Sequence, residues 1–308
     1  MTFSRRTFLS RAAVAVGAFD PAPGAPAAID THTHFYDIAR TEGVPWPPKS
    51  EPVLYRTHLP PEFQVLSEPH NVAGTVIVEA SPWVEDNQWI LDLAADYPFV
   101  VGFIGNLEAG KPEFAANLRR FARNPLFRGL RLGARAIAGG MGQRPFEDDL
   151  RRMADARLTL DVVGGSAMLS DVRRVAALAP KLRMVIDHLP FEEWDGKPEV
   201  MRQGLAPIAR LPNVYIKISN VVRRREGGVI EDPAFYRPGL DVLWELFGAD
   251  RLVFGSNWPV SNRIAPYATL HGIVAGYFRA KGPLAAEKYF RNNSKAAYRW
   301  ITRQRQTA

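Results

Sequence analysis

The stretch AAIDTHTHFYD, residues 27–37, places His32 and His34 two positions apart behind a short apolar run. Side chains two apart on a strand project to one face, near enough to share a small object. That object could be a metal ion or a substrate oxygen, and a plain pair of packed imidazoles is the alternative. Other chemically capable residues close short apolar runs in the same way. Glu79 follows GTVIV, Arg131 sits in FRGLRL, His188 ends RMVIDH, Lys217 and Ser219 alternate in YIKIS, and Asn257 follows LVFGS. Glu79 and His188 are candidates to take a proton from water. An imidazole suits that work because its ordinary pKa of ~6.5 leaves a usable neutral fraction near neutrality. Arg131 offers a planar fork of donors for a carboxylate, and Lys217 a second cation. Each also has a structural reading: Glu79 as a helix cap, His188 as a satisfied core histidine, Lys217 paired with Glu79 or Asp161, Arg131 anchoring a structural carboxylate. The chain has no cysteine, which removes disulfides, thiolate metal sites and a cysteine nucleophile and leaves nitrogen and oxygen as the possible metal ligands.

These residues need a scaffold that gathers strand ends. Beyond residue 28 the sequence alternates β-rich runs with helical stretches. The expected strands are Ile29–His34, Thr75–Ala80, Val100–Asn106, Gly129–Leu132, Thr159–Val163, Met184–His188, Val214–Ser219 and Leu252–Gly255. Helices are expected over Asn87–Ala95, Pro112–Arg123, Glu147–Ala156, Leu169–Leu178, Met201–Ala209 and Gly239–Phe247. Runs apolar nearly throughout fit strands covered on both faces. Eight such strands predict one α/β domain, a single (β/α)8 TIM barrel, with chemistry at the C-terminal strand ends. The polar residues above accumulate at those ends. An open doubly wound sheet is the alternative, and no Gly-x-Gly-x-x-Gly follows the first strand to support it. The long Pro-rich segment 41–63 interrupts the alternation and reads as an active-site wall or lid, or as a simple cover of the barrel mouth, with Trp46 and Tyr55 as aromatic surface for substrate; Trp258 after the last strand either offers another such surface at the mouth or packs beneath a helix.

The formal charge of +7 over 308 residues favours a small anionic molecule and falls short of the dense basic stripe of a nucleic-acid binder. Residues 1–27 join Ser4-Arg5-Arg6-Thr7-Phe8-Leu9 to a short apolar segment and to Ala25-Pro26-Ala27, the pattern of a twin-arginine export signal with an Ala-x-Ala cut. The apolar segment is too short to span a bilayer, which takes ~20 residues, so no stable membrane insertion is expected. The expected organisation is a signal and linker over 1–27, the barrel over 28–303 and a tail over 304–308.

IDTHTHFYD, FRGLRL, RMVIDHLP, NVYIKIS and RLVFGSNWPV occur in the order seen in the amidohydrolase superfamily, and the chain resembles its amidohydrolase-2 branch. The resemblance implies a distorted TIM barrel, hydrolysis of a lactone, and a possible divalent metal, zinc, at His32, His34 and His188. It matches Arg131 to a position that holds substrate carboxylates. One departure matters: the family's last strand ends in an aspartate where this chain has Asn257. An amide coordinates weakly and donates a hydrogen bond, but near neutral pH it cannot act as a general base. A strand-five histidine of binuclear members is also absent from LTLDVVGGS. The expected function is a hydrolase that opens a small carboxylated lactone or related cyclic ester, with His188, Glu79 and Asn257 as the reacting groups. A mechanism without metal, a metal-dependent decarboxylase, and a non-catalytic barrel holding an acidic ligand remain the alternatives. Oligomeric state is not written in the sequence.

Overall fold

The computed structural model describes residues 27–188, 197–226 and 228–303. The export pattern, the predicted tail over 304–308 and the segment immediately after His188 lie outside the described residues. No described helix is long and apolar enough to cross a membrane.

Eight parallel strands lie side by side in chain order: β1 (Ala28–Thr33), β2 (Val72–Val78), β3 (Val100–Gly105), β4 (Phe127–Gly133), β5 (Thr159–Val163), β6 (Arg183–Ile186), β7 (Val214–Ile218) and β10 (Leu252–Phe254). A small hairpin, β8 (Arg224–Arg225) with β9 (Gly228–Val229), stands apart from this sheet. The outer helices between strands are α1 (Pro60–Ser67), α2 (Asp86–Asp96), α3 (Phe114–Ala122), α4 (Ala134–Gly140), α5 (Arg144–Asp155), α6 (Leu169–Leu178), α7 (Pro198–Ala209) and α8 (Pro233–Phe247). After β10 come α9 (Tyr267–Ala280), α10 (Pro283–Glu287) and α11 (Asn293–Tyr298). Each expected strand and helix is present to within three residues at its ends, except that α8 begins six residues before the expected Gly239. The barrel adds α1, which starts at Pro60 inside the expected loop, and α4, which absorbs Gly139 and Gly140 of the AGGMG run.

Strand alternation sorts the core into two layers. Leu160 and Val162 of β5, Met184 and Ile186 of β6, and Ile216 and Ile218 of β7 join the helices' Val172, Leu205 and Leu243 in the outer layer. The opposite phase carries Val76, Val78, Val185 and Val253 into the barrel, where Tyr298 and Trp300 join them. Burying a Val or Leu side chain fully stabilises by about 1.5–3 kcal/mol, so this two-sided apolar pattern fixes which residues point inward. On the inward phase of β5, β6 and β7 lie Asp161, Asp187 and Lys217, all fully buried.

β1 and β10 are joined differently from the other neighbours. Just beyond β10, Asn257 N donates to His32 O and His34 N donates to Trp258 O, both at 2.8 Å. These two bonds and the parallel bridge of Thr33 to Trp258 close the barrel at its C-terminal end. The register of β1 against β2 breaks between Asp30 and Thr33. There the Asp30 carboxylate accepts the N–H of His32 at 3.1 Å and that of Ser256 at 2.9 Å, and so ties the irregular turn to the far side of the seam.

Candidate active site

A cavity of about 430 Å³ opens at the C-terminal mouth of the barrel, lined in part by His34, Trp46, Glu79, Arg131, His188 and Asn257. It therefore brings together six of the residues that the sequence singles out.

His34 has a determined proton position. Its Nδ1 lies 3.0 Å from Val78 O and 3.2 Å from Glu79 O. Carbonyl oxygens only accept, so Nδ1 carries the hydrogen and Nε2 presents a lone pair. Burial, aided by the nearby Arg131 charge, pushes the His34 pKa down to about 3, and the ring is neutral. Its Nε2 lies 3.2 Å from His32 Nε2 and 3.2 Å from Asn257 Oδ1.

Beneath His32 is a buried ionic group. Lys217 Nζ donates to Asp161 Oδ2 at 2.7 Å, contacts Asp187 Oδ1 at 2.8 Å and reaches His32 Nδ1 at 3.3 Å. Tyr298 Oη donates to Asp161 Oδ2 from below at 3.1 Å. Burial opposes ionisation of Asp187, but the Lys217 ammonium outweighs it and holds the carboxyl well below the usual range. Burial and the Asp187 charge push Asp161 up to about 8, so it carries a proton at neutral pH. One ammonium thus faces one ionised and one protonated carboxyl. Buried charge persists only when paired in this way.

His188 follows Asp187 with φ +62, a left-handed conformation uncommon outside glycine. Its Nδ1 lies 2.8 Å from Ser219 Oγ, and its ring centre is 4.7 Å from that of His32. Burial pushes its pKa down to about 4, leaving a neutral imidazole in the cavity wall. Asn257, at φ +63, uses the same backbone device at the end of β10. Across the cavity Arg131 Nε donates to Glu79 Oε1 at 2.9 Å and Nη2 to the Glu79 backbone oxygen at 2.9 Å. Glu79 is therefore a partner of Arg131 before it is a base. Trp46 reaches in from the long loop, its ring 6.0 Å from that of His34.

Three expectations for substrate contact are corrected. Lys217 does not line the cavity, because it is fully buried at the level of Asp161 and Asp187, where it bonds Asp161 and His32 and pairs with Asp187. Trp258 is fully buried and packs on His58, Phe63 and Phe35, with ring centres 5.0, 5.1 and 5.8 Å away. Tyr55 shares the Trp46 loop but is not among the residues lining the cavity. Asp187 and Ser219 are the residues that sequence reasoning gave no role. Asp187 stands next to His188 in RMVIDH, and Ser219 shares strand phase with Lys217, so both signals were in the sequence.

The expected zinc ligands can be tested on this geometry. Two nitrogens on one tetrahedral zinc, each at ~2.05 Å, lie about 3.3 Å apart, and the His32–His34 and His34–Asn257 separations match that edge. The charges do not match. The donors are two imidazoles and an amide, with no carboxylate, and the Lys217 ammonium sits directly behind His32. Among the described residues no group of three or more His, Cys, Asp or Glu side chains could hold a metal. The residues present do not fit a divalent cation.

Comparison with known proteins agrees with the barrel. The family model described as amidohydrolase matches residues 29–300. The L-fucono-1,5-lactonase of Burkholderia ambifaria is 30% identical over 279 residues, covering 88% of this chain and 95% of that protein. The L-fucono-1,5-lactonase of Burkholderia multivorans is 27% identical over 261 residues, covering 80% and 86%. A crystal structure of a Burkholderia multivorans amidohydrolase with bound zinc shares the fold with a TM-score of 0.79 at 23% identity, covering 89% of this chain and all of that one.

Proposed function

The chain belongs to the amidohydrolase family and is a hydrolase, and from that premise we propose that it opens a small lactone of the sugar-acid type in the barrel-mouth cavity. The observation that carries this reading is one cavity wall holding a neutral, anchored imidazole, His188, with the Arg131–Glu79 pair lining the same space. Two relatives named for a sugar lactone support the substrate class.

With Nδ1 held by Ser219, His188 keeps Nε2 for a water molecule. The water oxygen bonds to the lactone carbonyl carbon as Nε2 takes one of its protons. The tetrahedral oxyanion is held by N–H donors, among which the Asn257 amide lines the cavity. When the ring C–O bond breaks, the imidazolium returns its proton to the departing ring oxygen. One water is consumed and an open hydroxy acid results. Arg131 and Glu79 together offer donors and an acceptor, a match for substrate hydroxyls, and Glu79 offsets the charge that would otherwise select a carboxylate. Because the donor set does not suit a divalent cation, no step uses one.

Acid release from a panel of sugar 1,5-lactones and carboxylated lactones, with wild type and His188→Ala compared, tests the proposal. Ring opening that is lost in a folded His188→Ala is the expected result. Carbon dioxide release without ring opening would point to a decarboxylase. Tight binding without turnover, cured by Asn257→Asp, would point to a ligand-holding barrel. We also propose export by the twin-arginine route; replacing Arg5 and Arg6 by lysines is expected to retain the unprocessed chain in the cytoplasm.

A further inference from the structure

The mismatch between cation-like spacing and the wrong charges has a local cause. We infer that Lys217 fixes the tautomer of His32, so that the His-x-His pair is a hydrogen-bonded relay closed to a metal ion instead of a pair of open lone pairs. The reading goes beyond the proposed reaction and does not depend on its substrate.

The assignment follows from counting donors. An ammonium has three N–H groups and no acceptor. Lys217 donates to Asp161 Oδ2 at 2.7 Å and to His32 Nδ1 at 3.3 Å, and its charge pairs with Asp187 Oδ1 at 2.8 Å. The competing partner for His32 Nδ1 is Asp187 Oδ1 at 3.6 Å, beyond hydrogen-bond reach. His32 Nδ1 is therefore an acceptor. In a neutral imidazole the hydrogen then resides on Nε2, since the bond made by one ring nitrogen sets the state of the other. Burial and the Lys217 charge keep that ring neutral.

His32 Nε2–H points to the one acceptor that His34 has free. His34 Nδ1–H is committed to the carbonyls of Val78 and Glu79, which leaves its Nε2 lone pair at 3.2 Å. The chain of donors runs in a single sense from Lys217 through His32 and His34 to the backbone of β2. Binding zinc at this edge needs lone pairs on both Nε2 atoms, so His32 would have to shift its proton to Nδ1, against Lys217. A neutral Asn257 fits the same pattern. Its oxygen faces the His34 lone pair at 3.2 Å, and rotation of the amide replaces that oxygen by an N–H donor. A carboxylate at 257 has no donor to offer and would call for a cation.

Histidine-selective 15N NMR of the folded protein reads the tautomer directly. The expected spectrum shows His32 with a bare Nδ1 and a protonated Nε2, assigned by its loss in His32→Gln. In the doubly substituted Lys217→Met, Asp161→Asn protein the ammonium and its protonated partner are both replaced by neutral side chains, and the Asp187 carboxylate alone faces His32. There the proton is expected to move to Nδ1, and zinc affinity measured by titration is expected to rise at least tenfold over wild type. A wild-type His32 protonated on Nδ1 overturns the inference. So does a double variant that keeps the wild-type tautomer. If the double variant fails to fold, the wild-type spectrum alone still decides.

Discussion

Arg131 holds Glu79 at two points, Nε to a side-chain oxygen and Nη2 to the backbone oxygen, each at 2.9 Å. The guanidinium plane is thereby set across the cavity from His188. Glu79→Gln keeps an acceptor but removes its charge, and is expected to raise KM with a smaller effect on kcat. Arg131→Met removes both contacts and is expected to cost ~10-fold or more in kcat/KM, the scale of one or two charge-assisted hydrogen bonds. A larger loss for Glu79→Gln than for Arg131→Met would instead make Glu79 the base.

His188→Ala is expected to lower kcat by ~10²–10⁴, as for removal of a positioned acid–base group, with circular dichroism unchanged. Burial holds the His188 pKa near 4, so the neutral form persists well below neutrality. The acid limb of kcat/KM should fall near pH 4 and not near pH 6.5. Ser219→Ala should lower kcat and displace that limb, because Ser219 contacts Nδ1.

Acid stability follows from the same burial. His34, His188 and His271 have pKa values lowered by burial to about 3, 4 and 3. In the unfolded chain they take protons from about pH 6.5 downward, so stability falls as pH drops below that value and continues to fall to about pH 3. Asp30 and Asp161, raised chiefly by burial to about 6 and about 8, act with the opposite sign and offset part of this fall. His271 lies among Phe254, Phe290 and Tyr267, outside the cavity lining, with its Nδ1 lacking a hydrogen-bond partner. His271→Phe is expected to stabilise by ~1 kcal/mol at neutral pH, since an unsatisfied buried polar atom is lost. It should also flatten the acid slope in melting curves taken from pH 7 to pH 4.

Asp30 accepts N–H groups from both sides of the barrel seam, and Tyr267 Oη donates to it at 3.3 Å. Asp30→Ala orphans these buried donors at about 1–3 kcal/mol each. Urea denaturation should show a loss of that order, and Asp30→Asn, which keeps one acceptor oxygen, a smaller one.

Much of this centre could be read in the sequence because barrels deliver strand ends to one rim, so His34, Glu79, Arg131, His188 and Asn257 could be named from position alone. Depth was harder. Lys217 and Ser219 share a strand phase, yet one is locked below the site and the other touches His188; the difference depends on neighbours in β5 and β6 that are distant in sequence. Asp187 looked like a strand residue beside the interesting one. Trp258 was misplaced because an indole after a strand suits a mouth or a core equally, and only the packing of Phe35, Phe63 and His58 decides. The break in β1 was hidden too, since it rests on Asp30 accepting N–H groups from partners 2 and 226 positions away.

The last joint of the barrel is fastened by main-chain atoms of His32, His34, Asn257 and Trp258, three of which also carry side chains into the reactive region. Because the fastening ignores what those side chains are, position 257 can swap acid for amide without unbuttoning the cylinder, whereas a proline there, lacking the N–H, would undo it. Chemical identity at this rim is thus interchangeable over a fixed framework, which gives a lineage of such proteins room to change trade while keeping shape.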